Sequence, residues 1–138
     1  SGEIEHAVWC AWRDGASDAI VVEGQGSLLN PAYPGGFEIL AACRPHCVVL
    51  QHAPTRAEYD GFPGYPIQPL IHQIRAVQII SHCPVVAITV NQEGMSPEEA
   101  RAACRRISES TGLPTVAPLL DPLWPVVGAI LERGEAAR

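Results

Sequence analysis

Lysine is missing from this chain. All nine basic residues are arginines, against fifteen Asp and Glu, for a net charge of -6. Without lysine there can be no phosphate loop of the G-x-x-x-x-G-K-[ST] type and no Schiff-base or general-base lysine within these residues. The acidic balance argues against nucleic acid as a partner, because phosphate binding needs clustered basic side chains. Aromatics make up only 6% of the sequence, and no basic stripe accompanies Trp9, Trp12 or Trp124, so packing is expected of them rather than base stacking. No apolar run approaches the roughly 20 residues of a membrane helix, and no signal peptide is visible. Five cysteines, an odd number set mostly in apolar segments, read as reduced and buried, which suits a cytoplasmic protein.

What is present is a soluble-protein composition, 47% hydrophobic and 17% charged, in a 138-residue chain long enough for one core. The chain starts at Ser1 without a methionine and already inside a helical pattern. Residues 1–138 are expected to form one α/β domain, a C-terminal piece of a longer protein. Ile4, Ala7, Val8, Ala11 and Trp12 recur at helical spacing and predict a helix over Glu3–Arg13. The β-branched run Ile20-Val21-Val22 predicts a first buried strand over Ala19–Glu23. A short helix over Phe37–Cys43 and a strand over Cys47–Gln51 follow. After a long loop, His52–Pro66, come a helix over Pro69–Ser81 and a strand over Val85–Val90. Ser96-Pro97-Glu98-Glu99 reads as a capping box opening a helix that stops at Gly112. A short strand over Thr115–Ala117 and a last helix opened by Asp121-Pro122 complete the order αβαβαβαβα. Such alternation predicts a parallel sheet flanked by helices, of the Rossmann-like or P-loop NTPase-like kind.

In such a sheet, ligands bind where the carboxyl ends of the strands open into loops. The expected strand ends carry Glu23, Gln25 and Ser27; Gln51, His52, Thr55 and Arg56; Asn91, Gln92 and Glu93; and Asp121. Glu23 is a candidate general base or Mg²⁺ ligand, or else a helix cap or a partner for Arg56. Gly24 and Gly26 allow close backbone approach to a bound group. His52 titrates near neutral pH, and Arg56 offers a fixed fork for a carboxylate or phosphate, so together they suit an anionic substrate. The Cys43, His46, Cys47, His52 spacing fits no common zinc pattern, and no metal is expected. Tyr33, Tyr59 and Tyr65 sit in loops that can line a pocket.

The strings Ile20–Pro31 (IVVEGQGSLLNP), Ala32-Tyr33-Pro34-Gly35, His52-Ala53-Pro54-Thr55-Arg56 and Gly61-Phe62-Pro63-Gly64-Tyr65-Pro66 resemble the C-terminal domain of the D-glutamate N-acetyltransferase-like family. The resemblance runs from about Asp18 to Asp121. It implies a P-loop NTPase-type α/β fold whose first strand and phosphate loop would lie before Ser1. It also implies acetyl-CoA-dependent acetylation of D-glutamate or a related small acidic amino acid. By motif, Glu23, Gly24, Gln25, Gly26, Ser27, His52, Pro54, Thr55 and Arg56 carry over; their roles are our own reading of their chemistry, with Glu23 and His52 as candidate catalytic residues, Gln25, Ser27, Thr55 and Arg56 at the substrate, and Gly24, Gly26 and Asn91 at the cofactor. A fainter similarity, through the Glu23-Gly24 turn and Asn91, points to dethiobiotin synthetase-like enzymes that use ATP and Mg²⁺. A third expectation is a non-catalytic assembly module, in which an unpaired sheet edge recruits a second copy of the chain or the portion before Ser1.

Overall fold

The computed structural model describes residues 2–15, 18–24, 28–32 and 35–136. In chain order the elements are α1 (Gly2–Asp14), α2 (Gly35–Cys43), β1 (Val48–His52), α3 (Leu70–Ser81), β2 (Val85–Val90), α4 (Pro97–Thr111), β3 (Thr115–Val116) and α5 (Trp124–Ala136). The three strands form one parallel sheet in the order β1-β2-β3, with Leu50 opposite Ile88 and Thr89 opposite Val116. The α/β architecture read from the alternation is therefore present, with α3 and α4 as the crossovers.

Alternation along β2 divides the core. Ile88 joins Leu40, Ile74, Val77 and Val85 beneath α2 and α3, and Val90 joins Ala100, Cys104 and Ala117 beneath α4. Ala87 turns the other way, to Val116 and Val126 beneath α5. Ala87 and Ile88 are fully buried, which makes β2 the covered centre of the sheet. The helix ends obey local chemistry. Ser96 Oγ accepts from the Glu99 amide at 3.3 Å, and Glu99 Oε2 accepts from the Ser96 amide at 2.8 Å, closing the expected capping box. At the far end Gly112, with φ 72°, takes the left-handed conformation that lets its N–H return to the Ser108 carbonyl.

The strand expected over Ala19–Glu23 does not form. Residues 18–24 have no ladder partner among the described residues, Val21 is 92% exposed, and Glu23 is exposed as well. β-branching favours an extended backbone, but a strand also needs a neighbour to take its N–H and C=O groups, and residue type does not encode one. The sheet thus has three strands where four were expected. Packing by the tryptophans also fails: Trp9, Trp12 and Trp124 are 46%, 69% and 78% exposed. Helix α1 buries no residue and packs on α2, with Trp9 stacked on His6 and capped by the Arg13 guanidinium at 4.3 Å. The five cysteines are free; Cys83 and Cys104 are buried and the other three half-buried.

Candidate functional site

β1 ends at His52 and β2 at Val90, side by side, with the Asn91 amide donating to the His52 carbonyl at 2.8 Å. The loops leaving these two strands are tied together. Thr55 Oγ1 donates to the Glu93 carbonyl at 2.8 Å, and Arg56 places Nε 2.9 Å from Glu93 Oε2 while Nη2 donates to the same oxygen. Asn91 Oδ1 accepts from the Glu93 amide at 3.0 Å, which fixes the backbone that presents the carboxylate. Gly94 follows with φ 71°, a conformation a side chain would resist, and turns the chain toward the Ser96 cap. The charge pair is exposed, so its value is positional: an ion pair in water contributes about 0–1 kcal/mol. Since Glu93 takes two N–H groups on one edge of the guanidinium, the remaining donors stay available to a ligand.

The long loop after β1 is built rather than loose. Glu58 and Pro66 form an antiparallel bridge, Tyr59 donates its amide to the Tyr65 carbonyl at 3.0 Å, and Ile67 donates to Ala57 at 2.9 Å. Buried Tyr59 anchors this excursion, and Phe62 meets Tyr65 edge to face. Tyr65 itself is exposed.

Two clefts flank the tie. One, of about 420 Å³, lies under the excursion and is lined by Arg56, Glu58, Tyr59, Asp60, Phe62 and Glu93 among others. The other, of about 350 Å³, runs beside α4 and is lined by Thr55, Gly94, Met95, Glu99, Ala102 and Arg106. In the loop between β2 and α4, Gln92 Oε1 is a buried acceptor with no donor among the described residues.

His52 is the chemically distinctive group. Burial lowers its imidazole pKa below the ordinary histidine range, because the charged form loses hydration. It is neutral at pH 7 and ready to accept a proton.

The sequence-derived candidates divide accordingly. The structure brings His52, Thr55, Arg56, Asn91 and Glu93 to one edge of the sheet. Glu23 is not on a strand and has no ion pair among the described residues; the Arg56 fork is taken by Glu93 instead. Gly24 lies against α2, with Ile39 Cδ1 3.6 Å from where a Cβ would stand. Gln25, Gly26 and Ser27 lie outside the described residues. Asp121, in the turn after β3, accepts from Arg101 Nε at 3.0 Å. Among the described residues no cluster of three or more His, Cys, Asp or Glu side chains is arranged to hold a metal ion, and no helix is long and apolar enough to cross a membrane. Of the α4 residues lining the second cleft, Ala102 and Arg106 were not singled out in the sequence, and Glu99 was read only as part of the helix cap. Their only signal is the i, i+3, i+7 spacing on a helix that starts at a strand end.

Comparison with known proteins places the chain in a family. The chain is similar to the D-glutamate N-acetyltransferase of Tritonibacter scottomollicae, 32% identical over 105 residues, covering 71% of this chain and 31% of that protein. It is similar to the D-glutamate N-acetyltransferase of a Pseudoalteromonas species, 32% identical over 113 residues, covering 78% and 34%. The chain therefore spans about a third of the length of these curated relatives. A crystal structure of a DUF1611 family protein from Anabaena variabilis superposes with a TM-score of 0.87 at 25% identity, over 95% of this chain and 40% of that one. The profile of the DUF1611 C-terminal P-loop domain, a domain of unknown function, matches residues 1–126, and the chain belongs to that family.

Proposed function

We propose that this chain forms part of an N-acetyltransferase that moves an acetyl group from acetyl-CoA to the amino group of D-glutamate or a related small acidic amino acid. The observation that carries the reading is the likeness to two D-glutamate N-acetyltransferases over more than two thirds of the chain. The geometry supports it in three respects. Neutral, half-buried His52 accepts the proton that the substrate ammonium must lose before its nitrogen can attack. Arg56, held from one side by Glu93, offers its free N–H groups to a substrate carboxylate. Glu58 and Asp60, in the same cleft as Arg56, surround the ammonium end with negative charge. In the transfer the amine nitrogen bonds to the acetyl carbonyl carbon, the carbon–sulfur bond breaks, the proton His52 took from the ammonium is returned to the departing thiolate, and the second proton that the nitrogen sheds on becoming an amide leaves to solvent. The roles read for Glu23, Gln25, Ser27, Gly24, Gly26 and Asn91 stay within this proposal.

Thiol release from acetyl-CoA in the presence of D-glutamate tests the reading. We expect His52→Ala to lower kcat by roughly 10²–10⁴-fold. The sign of the pH profile follows from the depressed imidazole pKa. The base is competent on the alkaline side, and kcat/KM declines on acidification with an apparent pKa below about 6.5, the ordinary histidine value. Absence of thiol release with every acidic amino acid, or an unchanged rate in His52→Ala, defeats the proposal.

A further inference from the structure

The tie between Thr55, Arg56 and Glu93 separates two clefts of similar size. One holds the groups suited to an acidic amino acid. The other has a different chemistry. Along it lie the Met95 thioether, the small Ala102, the Thr55 hydroxyl and, at its far end, Arg106. Arg106 makes no ion pair with any described residue, which is also true of Arg44, Arg75, Arg105 and Arg133, but among these it is the one that lines a cleft. The one carboxylate in the lining, Glu99, is committed to the Ser96 amide at the helix start. Glu99 and Arg106 are seven residues apart on α4, so the cleft follows the helix for roughly 10 Å. An elongated groove with an apolar middle and a guanidinium at one end suits a flexible chain ending in a phosphate.

We propose that the cleft beside α4 is the site of the phosphopantetheine portion of a coenzyme A thioester, with Arg106 as its phosphate-binding residue and Ala102 as the residue whose small size keeps the groove open. The inference rests on the acetyl-transfer reading for the identity of the ligand, and on the cleft and the unpaired arginine for its place. The two substrates then approach the tie from opposite sides, with His52 at the strand end from which the loop bearing Thr55 and Arg56 departs.

Isothermal titration of the 138-residue chain with desulfo-coenzyme A tests it, because this probe binds without reacting. Arg106→Gln removes the cation, and Ala102→Trp fills the groove from a half-exposed helix position. Arg75→Gln removes an unpaired arginine from α3 as the control for net charge. Thermal melts establish that each variant is folded. The expected result is at least tenfold weaker binding for Arg106→Gln and for Ala102→Trp, with Arg75→Gln within twofold of the parent. No binding to the parent chain, retention within twofold by either cleft variant, or an equal loss in Arg75→Gln overturns the assignment. Thiol release with D-glutamate is scored separately. Activity together with unaltered probe binding in Arg106→Gln removes this site and leaves acetyl transfer standing. Intact, Arg106-dependent probe binding without any transfer does the reverse.

Discussion

Two short segments look alike in the sequence and behave differently in the molecule. Ile20-Val21-Val22-Glu23 and Val48-Val49-Leu50-Gln51-His52 are both runs of large apolar residues that end in polar ones. The second is a strand, laddered to β2 and covered by α3 on one face, and it delivers His52 to the site. The first makes no ladder among the described residues, and its apolar side chains are exposed. Composition and branching specify an extended backbone in both cases; a neighbouring strand decides which becomes part of a sheet. The candidate site follows this division. Its best-supported members, His52, Thr55, Arg56 and Glu93, sit on the laddered side, and Glu23 sits on the other.

The sharpest way to break that contrast is truncation at matched positions. Ile88 is fully buried between Leu40, Ile74 and Val77, so Ile88→Ala leaves a cavity at the centre of the sheet. A loss of about 2–5 kcal/mol in urea unfolding is expected. Val21→Ala, at a side chain 92% exposed, is expected to move stability by less than about 0.5 kcal/mol. Comparable losses in the two variants would mean that residues 20–22 are packed in solution, and the contrast would disappear.

This also marks how far the sequence could be read. Elements defined by their own residues were legible: the capping box at Ser96, the stop at Gly112, the Val85–Val90 strand and the α3 helix all lie within a residue or so of expectation. So was the rim carrying His52, Thr55, Arg56 and Asn91, because strand order places it. What was not legible depends on partners distant in sequence. Arg56 was matched with Glu23 or a substrate, whereas the carboxylate that reaches it belongs to Glu93, 37 residues away. The exposure of Trp9 and Trp12 is of the same kind: helical periodicity shows which face is apolar, not whether anything covers it.

A smaller effect probes the turn that links the site to α4. Gly94 has a left-handed φ of 71° with open space around its missing Cβ, so Gly94→Ala meets no clash and registers backbone strain alone. The expected loss is about 1–2 kcal/mol by thermal or urea unfolding. Ser96→Ala removes the cap two residues later and is expected to cost about 1 kcal/mol. If the strain is local, the two effects differ in kind: Gly94→Ala also alters the loop bearing Glu93, while Ser96→Ala leaves it in place. On the acetyl-transfer proposal, a larger rise in the D-glutamate KM for Gly94→Ala than for Ser96→Ala is the measurable consequence.

The smallest expected change in stability comes from the pair that defines the site. Both Arg56 and Glu93 are substantially exposed, so Glu93→Gln is expected to alter unfolding free energy by less than about 1 kcal/mol. Its effect on function should be larger than its effect on the fold. Without the carboxylate, the Arg56 guanidinium regains the rotamers that the tie suppresses, and the donors offered to a substrate carboxylate lose their fixed direction. On the acetyl-transfer proposal, we expect the KM for D-glutamate to rise roughly tenfold, equivalent to about 1.4 kcal/mol of binding, while the acetyl-CoA KM stays within twofold. Tighter substrate binding in Glu93→Gln would show the opposite relation, with Glu93 competing for Arg56 rather than aiming it. The tie between the two strand-end loops would then be a latch that substrate must open, and the laddered side of the molecule would hold a gate where a preformed site is inferred.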